Sequence, residues 1–259
     1  MHQPRKRFGQ HFLHDQAVIR NIVAAIAPQP GETLVEIGPG LGAITGPLLQ
    51  AAGSLDAVEI DRDAIRHLRD TFGSGSLRIH EGDALAFDFG SLAPAAQRLR
   101  LIGNLPYNIS TPLLFRLIAQ RDHVLDMHFM LQKEVVDRMA AGAGDDDYGR
   151  LSVMLAPWVQ VAPLFDIGPG AFRPPPRVES TFVRLTPHAA PPFAIADYGI
   201  FARVVAAAFS QRRKTLRNAL KQLLSIDQIQ DAGIDPGARA EVISPAGFAA
   251  LAARVPADL

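Results

Sequence analysis

The chain has 259 residues, of which 48% are hydrophobic, and its 26 Lys and Arg residues balance its 26 Asp and Glu residues. That length and composition predict a globular protein built from one large domain, or from a large and a small one. The absence of cysteine excludes disulfides, thiolate catalysis and cysteine-ligated zinc. No stretch approaches the roughly 18 apolar residues of a membrane span, and no signal-peptide core follows residues 1–7, so a cytoplasmic protein is expected.

Short apolar runs alternate with helix-length segments as far as residue 185. A first helix is expected over Gln16–Ala27, with Asp15 as its N-cap. Strands are then predicted at Thr33–Ile37, Ser54–Glu59, Leu77–Glu81, Leu99–Gly103, Asp126–Leu131, Val159–Ile167 and Ser180–Leu185. Helices are predicted between them at 42–52, 61–72, 111–120, 132–141 and 147–157. This alternation indicates an α/β fold with a mostly parallel sheet of seven strands, in which the last two strands are antiparallel.

Composition changes after residue 185, where a proline-rich linker is predicted over 186–192. Helical spacing follows at Tyr198–Phe209, Lys214–Leu224, Ile226–Ala232 and Pro245–Arg254. We therefore predict a domain at 1–185, with an N-terminal arm and helix at 1–30, and an all-helical domain at 186–259. Residues 198–226 contain six Lys and Arg and no acid, and residues 5–7 form a second basic cluster. Such clusters are typical of nucleic-acid contacts, although solvated helix faces produce the same pattern.

A glycine-rich turn with Gly38, Gly40 and Gly42 follows the first predicted strand of the sheet and opens a helix. Glycines there let the backbone pass close to a ligand. Glu59 ends the next strand, where an acid typically binds ribose hydroxyls, and Asp83 follows the third, in position to accept from an adenine amino group. The set predicts a nucleoside cofactor, S-adenosyl-L-methionine or NAD. Gly42 comes one residue too early for the dinucleotide spacing, which favours S-adenosyl-L-methionine.

The run Asn104-Leu105-Pro106-Tyr107 ends the fourth predicted strand. The Asn104 side-chain oxygen and the Leu105 carbonyl can accept from an exocyclic amine and aim its lone pair at a methyl donor, while Pro106 restricts the Leu105 backbone. Tyr107 would stack on an extruded base, and Phe172 is a candidate for the opposite face or for ordinary core packing. A plain strand-terminal turn is the alternative interpretation. With the upstream acids, the motif predicts a methyltransferase that acts on adenine in nucleic acid.

These motifs belong to a longer series that resembles the KsgA family of 16S rRNA adenine N6,N6-dimethyltransferases over essentially the whole chain. The matching segments are Arg7–Leu13, Val35–Gly42, Val58–Asp61, Gly82–Ala84, Asn104–Ser110, Tyr148–Val153, Phe172–Ser180 and Arg212–Asn218. The resemblance implies a Rossmann-like class I methyltransferase sheet with a small all-helical C-terminal domain. It also implies S-adenosyl-L-methionine as cofactor and dimethylation of two adjacent adenosines near the 3′ end of 16S rRNA. The implied partner is the 30S particle, and a monomer without a membrane partner is expected.

Carried over by position, the resemblance implies cofactor contacts at His11, Leu13, Gly38, Gly40, Glu59, Ile60, Asp83, Ala84 and Asn104. His11 departs from the Asn that is commoner in the family, although its ring can still donate a hydrogen bond. The base-gripping roles fall on Asn104, Leu105, Pro106, Tyr107 and Phe172. Contacts to rRNA phosphates are expected from Arg5, Lys6, Arg7, Arg212, Arg213, Lys214 and Arg217.

Three other functions stay open from the sequence. The chain could be a 23S rRNA adenine methyltransferase of the macrolide-resistance type, a non-catalytic rRNA-binding assembly factor or a nicotinamide oxidoreductase. Glu59, Asp83 and Asn104 are intact, which argues against lost catalysis, and the glycine spacing argues against nicotinamide. No metal is expected, because no acid triad or cysteine accompanies His2, His11 and His14.

Overall fold

The computed structural model describes residues 11–95, 97–211 and 213–256, which divide into two compact units. The first unit extends to Val136 and resumes at Val161–Pro187, and the second contains Asp137–Gln160 and the chain from His188 onward. The predicted domain boundary after residue 185 lies two residues before the division at Pro187. The assignment of 137–160 to the second unit differs from the prediction, which kept that segment in the first domain.

The strands of the described chain are β1 (Phe12–Leu13), β2 (Thr33–Ile37), β3 (Leu55–Glu59), β4 (Leu77–Glu81), β5 (Leu99–Asn104), β6 (Val124–Gln132), β7 (Val159–Ile167), β8 (Phe172–Arg173) and β9 (Ser180–Pro187). Seven of them form one sheet in the order β4-β3-β2-β5-β6-β9-β7. Neighbours from β4 through β6 are parallel, and β9 runs antiparallel to β6. The mostly parallel seven-stranded sheet with an antiparallel last strand is therefore confirmed.

The strand order reverses at β2, because the chain proceeds to β3 and β4 on one side and returns to β5 and β6 on the other. In open α/β sheets, ligands bind beyond the carboxyl ends of the strands at such a reversal. The glycine-rich turn leaves β2 at that point, and Asn104 ends the adjacent strand β5. The topology thus brings the two sequence motifs to one edge of the sheet.

The helices of the described chain are α1 (Gln16–Ile26), α2 (Thr45–Ala52), α3 (Arg62–Phe72), α4 (Ser110–Ile118), α5 (Lys133–Ala140), α6 (Arg150–Leu155), α7 (Tyr198–Ala208), α8 (Leu216–Ala219), α9 (Ile226–Asp231) and α10 (Pro245–Ala252). None of these helices has the length and hydropathy of a membrane-crossing segment. The predicted N-cap is confirmed, since the Asp15 carboxylate accepts from the Ala17 and Val18 amides at 2.8 and 3.1 Å. The buried face of α1, with Ile19, Ile22 and Ile26, follows helical spacing and joins the apolar core.

A two-stranded ribbon lies apart from the main sheet. β1 pairs antiparallel with β8, so that Phe12 lies opposite Arg173 and Leu13 opposite Phe172. The amide of His14 extends this ribbon by donating to the Ala171 carbonyl at 2.9 Å. The ribbon fixes the segment before α1 against the loop between β7 and β9.

The second unit is built around α7, which contacts α6 and α10. The buried Tyr148 explains why 137–160 belongs there, because its hydroxyl donates to the Ile243 carbonyl at 2.7 Å. Its ring also contacts Phe209, which packs on Phe248 of α10. Burial raises the pKa of the Tyr148 hydroxyl, so it acts only as a neutral donor.

The helix predicted over Lys214–Leu224 is wrong in extent, because only the four residues of α8 are helical and turns follow. Backbone hydrogen bonds to residues 236–238 account for the difference. The Leu216 amide donates to the Ala238 carbonyl at 2.8 Å, and the Arg217 amide donates to the Pro236 carbonyl at 3.0 Å. Leu216, Leu220 and Leu224 are buried, but in successive turns rather than along one helix.

Candidate active site at the carboxyl ends of the parallel strands

A cavity of about 870 Å³ opens beyond the carboxyl ends of β2, β3, β4 and β5 in the first unit. Its size is that of a small-molecule site. Every residue predicted to contact the cofactor lines it, namely His11, Leu13, Gly38, Gly40, Glu59, Ile60, Asp83, Ala84 and Asn104. The backbone segment of Leu105, Pro106 and Tyr107 lines the same cavity. The structure therefore brings the two predicted halves of the site together.

The glycine-rich turn forms one wall of the cavity. Gly38 and Gly40 have φ values of 65° and 57°, which side chains rarely adopt. A Cβ atom at Gly40 would also lie 3.3 Å from Cε1 of Phe12 in the N-terminal ribbon. The turn consequently lies directly beneath the ribbon, with its backbone facing the cavity.

The Glu59 carboxylate organises the floor of the cavity at the end of β3. Its Oε2 accepts from the Gly40 amide at 3.1 Å, and its Oε1 accepts from the Ile60 and Asp61 amides at 2.9 and 2.8 Å. Burial raises the pKa of this carboxyl, and the three amides lower it again in part. Since each carboxylate oxygen has two lone pairs, Oε2 retains one for a ligand hydroxyl. Oε1 already accepts two hydrogen bonds, so Oε2 is the oxygen available to a ligand.

Asp83 follows β4, lines the cavity and is exposed. Its Oδ1 accepts from the Leu85 amide at 2.9 Å, a contact that fixes the side chain within the turn. Oδ2 of the same carboxylate is left to accept from a ligand amine. This geometry agrees with the role predicted for Asp83.

Glu36 in β2 lines the cavity and was missed from the sequence. It is 1% exposed, and the Thr45 hydroxyl donates to its Oε2 at 2.6 Å. Burial raises the pKa of the Glu36 carboxyl to about 7, with a further increase from the charge of Glu59. A single acid inside an otherwise apolar strand, directly before the glycine-rich turn, was the signal that would have identified it.

We expect Glu36→Gln to remove a pH dependence of folding stability. Because the native pKa of about 7 exceeds the ordinary value of 4.5, the native state binds more protons than the unfolded state between these pH values. The contribution of Glu36 to the free energy of unfolding therefore falls as pH rises through this window, by roughly 3 kcal/mol. Urea denaturation at pH 5 and pH 8 should show a smaller decrease in the free energy of unfolding for the variant than for the wild type. Parallel losses in the two proteins would contradict this expectation, and the exposed Glu81→Gln is the control.

The Asn104 side chain has a defined orientation at the end of β5. Its Nδ2 donates to the His11 carbonyl at 3.0 Å, so its Oδ1 is the atom left to accept from a ligand. The preceding residue, Gly103, permits this position, because a Cβ there would lie 2.7 Å from the Ile37 carbonyl oxygen. Glycine at 103 therefore allows β5 to approach β2 closely enough to place Asn104 beside the glycine-rich turn.

The Tyr107 side chain, in the segment that follows β5, is contacted from two directions. Its hydroxyl lies 2.7 Å from the Ser180 hydroxyl. Its ring stacks on the His11 imidazole, with centroids 5.9 Å apart and planes inclined by 27°. Burial raises the pKa of the Tyr107 hydroxyl, while the Ser180 contact opposes that rise. The Tyr107 ring is therefore neutral and fixed in position.

Phe172 requires a correction. It is 2% exposed, belongs to the apolar core of the first unit and is absent from the cavity lining. Its pairing with Leu13 in the ribbon turns the side chain into the core, whereas the next two residues, Arg173 and Pro174, line the cavity. The structure thus favours core packing over the second face of a base sandwich.

The predicted RNA-binding residues are only partly covered by the structure. Arg5, Lys6, Arg7 and Arg212 lie outside the described residues. Arg213, Lys214 and Arg217 are exposed in the second unit, at and before α8. Among the described residues, no group of three or more His, Asp or Glu side chains is arranged to hold a metal ion.

Comparisons with known proteins agree with this geometry. A family model described as ribosomal RNA adenine dimethylase matches residues 1–255. Proteins named ribosomal RNA small subunit methyltransferase A are 59% identical in Methylococcus capsulatus, over 96% of this chain and 97% of that protein, and 55% identical in Thiobacillus denitrificans, over 98% of each.

Two crystal structures share the fold over nearly the whole chain. A dimethyladenosine transferase from Plasmodium falciparum gives a TM-score of 0.75 at 24% identity, covering 93% of this chain and 96% of that one. The 23S rRNA methyltransferase ErmE gives 0.72 at 23% identity, covering 94% and 99%. The predicted Rossmann-like methyltransferase fold is confirmed.

Proposed function

The chain belongs to the ribosomal RNA adenine dimethylase family, and on that premise we propose that it methylates N6 of two adjacent adenosines in 16S rRNA, dimethylating each. The proposed target is the hairpin loop near the 3′ end, within the 30S particle. The orientation of Asn104 is the observation that carries the proposal. Its amide nitrogen is engaged by the His11 carbonyl, so Oδ1 remains as an acceptor on the wall of the cavity that Glu59 also lines.

The cavity suits S-adenosyl-L-methionine in both volume and polar groups. Oε2 of Glu59 retains a lone pair for a ribose hydroxyl, and Oδ2 of Asp83 can accept from the adenine amine. Leu13 and Ile60 supply apolar lining next to these acids. When bound, the cofactor supplies an electrophilic methyl group attached to a sulfonium sulfur.

The segment Asn104–Tyr107, called the Asn104 turn below, orients the target amine. In the first transfer, Oδ1 of Asn104 and the Leu105 carbonyl accept the two hydrogens of the amine, which directs the nitrogen lone pair toward the methyl donor; in the second transfer one hydrogen remains to be accepted. Pro106 restricts the backbone of Leu105, so the carbonyl direction is defined. Such positioning can lower a barrier by about 7–11 kcal/mol, so no strong general base is required. The proton leaves after methyl transfer, when the nitrogen is far more acidic.

The competing enzyme is a 23S rRNA methyltransferase, whose fold this chain shares. At 23% identity that likeness extends only to the fold, whereas relatives with 52–59% identity are named for the small subunit. A non-catalytic assembly factor would not need Asn104 held in an acceptor orientation. We therefore favour the small-subunit enzyme, acting as a monomer in the cytoplasm where ribosomal subunits assemble.

The proposal is tested by incubating the protein with methyl-labelled S-adenosyl-L-methionine and unmethylated 30S particles, and then mapping the label. We expect dimethyladenosine at two adjacent positions near the 3′ end of 16S rRNA. Unmethylated 50S particles serve as the parallel substrate. Label confined to 23S rRNA would identify the competing enzyme, and absence of label from both would indicate a non-catalytic protein.

Reversing the charges of Arg213 and Lys214 should separate RNA binding from cofactor binding. Both side chains are exposed, and phosphate contacts account for much of protein–RNA affinity. We expect Arg213→Glu with Lys214→Glu to weaken 30S binding at least tenfold at about 0.1 M salt and to reduce its salt dependence.

Affinity for the cofactor should stay unchanged in that variant. The same reversal at Arg66 and Arg69, which are exposed on α3, is the matched control and should have little effect on 30S binding. Equal weakening in both double variants would show that net charge, rather than this surface, determines the affinity.

A further inference from the structure

His11 makes three contacts that converge on the side of the cavity where the target base would enter. Its Nδ1 lies 2.7 Å from the Pro174 carbonyl oxygen, and its own carbonyl accepts from Nδ2 of Asn104 at 3.0 Å. Its ring stacks on Tyr107 at a centroid distance of 5.9 Å. The residue thus joins the N-terminal ribbon, the Asn104 turn and the loop after β8.

The Pro174 contact determines which nitrogen of His11 carries the proton. A carbonyl oxygen can only accept, so Nδ1 must be the N–H donor in this contact. In the neutral imidazole, Nε2 is then an acceptor. It cannot donate to a cofactor in the way that the amide of an Asn would. The one N–H donor of the neutral imidazole is therefore directed to Pro174, and Nε2 is left as an acceptor.

The distance between the two rings determines where a base can stack. A purine inserted between His11 and Tyr107 would need centroids about 7 Å apart, twice the normal contact distance of about 3.5 Å. The observed 5.9 Å is shorter, and the Ser180 hydroxyl at 2.7 Å holds the Tyr107 ring in place. The observed spacing leaves no room for a purine between His11 and Tyr107, so a base would have to stack on the face of Tyr107 that is turned away from His11.

We propose that His11 is a positioning residue for the target adenine, an inference that rests on the proposed function. Its ring supports Tyr107 from behind, and its carbonyl orients the Asn104 amide, so the stacking surface and the hydrogen-bond acceptor are placed by one residue.

The test compares His11→Phe, His11→Asn and His11→Ala in the full-length protein, with the exposed His67→Ala as the control. All of these variants keep the residue 11 carbonyl, but only His11→Phe keeps a ring against Tyr107. We expect kcat on 30S particles to fall about tenfold in the Asn and Ala variants, in keeping with the loss of one aromatic pair, and to recover within about threefold in the Phe variant. The dissociation constant of S-adenosyl-L-methionine, measured by calorimetry, should stay within twofold of the wild type throughout.

Three outcomes would overturn the inference. A tenfold weaker affinity for S-adenosyl-L-methionine, with kcat at saturating cofactor unchanged, would make His11 a cofactor contact. Full activity of His11→Asn would show that the ring is dispensable, and a higher kcat in His11→Ala would show that the ring obstructs the base. A wild-type protein that labels no 16S rRNA would instead refute the proposed function, so the two failures are distinguishable.

Discussion

Replacing Asn104 by alanine should lower kcat for methyl transfer to 16S rRNA by about 10²–10³. The substitution removes the Oδ1 acceptor that orients the amine, and losing one preorganised polar group of this kind costs about 2.7–4 kcal/mol of transition-state stabilisation. It also releases the His11 carbonyl from its 3.0 Å contact. The measurement is single-turnover methylation of 30S particles with cofactor in excess.

Asn21→Ala is the control for that experiment, because Asn21 is exposed on α1 and lies outside the cavity lining. The affinity of Asn104→Ala for S-adenosyl-L-methionine should fall less than tenfold, since Glu59 and Asp83 remain. If kcat stayed within tenfold of the wild type, Asn104 would have no role in orienting the amine, and the strand-terminal turn would be the correct interpretation of the motif.

Glu59→Gln is expected to weaken S-adenosyl-L-methionine binding about 10- to 100-fold. A hydrogen bond to a charged group contributes about 1.5–3 kcal/mol, and the carboxylate here also accepts from three backbone amides. The NH₂ group of glutamine would meet at least one of those amides as a second donor, so the glycine-rich turn would lose its fixed position. Calorimetric titration of the cofactor measures the effect directly.

Glu81→Gln provides a closely matched control for Glu59→Gln. The two residues are register partners at the ends of β3 and β4, but Glu81 is exposed and pairs with Arg62 at 2.7 Å. Unchanged cofactor affinity in the Glu59 variant would mean that the ribose lies elsewhere in the cavity. A similar loss in both variants would point to a general effect of charge at this edge of the sheet.

The sequence predicted the parts of the site that depend on strand ends. Glu59 and Asn104 end parallel strands, Gly38 and Asp83 follow parallel strands, and the carboxyl ends of such strands meet at one edge of the sheet. Their convergence on one cavity therefore follows from local pattern and topology. The individual roles assigned to these residues stay predictions.

The parts that were missed depend on contacts between distant segments. The sequence left core packing of Phe172 as one of two alternatives, and its pairing with Leu13 decides between them. The ring contact of His11 depends on where β5 places Tyr107. Burial of Glu36 reflects helix and strand layers that no local window contains. The segment 137–160 likewise joined the second unit through long-range contacts such as that of Tyr148 with Ile243.

The ribbon of β1 and β8 links the start of the described chain to residues near the end of the first unit. Only two positions are paired, so the ribbon is held mainly by the burial of Leu13 and Phe172 in the apolar core. Any molecule that binds only the closed ribbon stabilises it, by about 2.7 kcal/mol at a hundredfold excess over its Kd. A cofactor that contacts Leu13 of the ribbon would therefore stabilise the segment that carries His11. The target base would then bind to an ordered site only after the cofactor has bound.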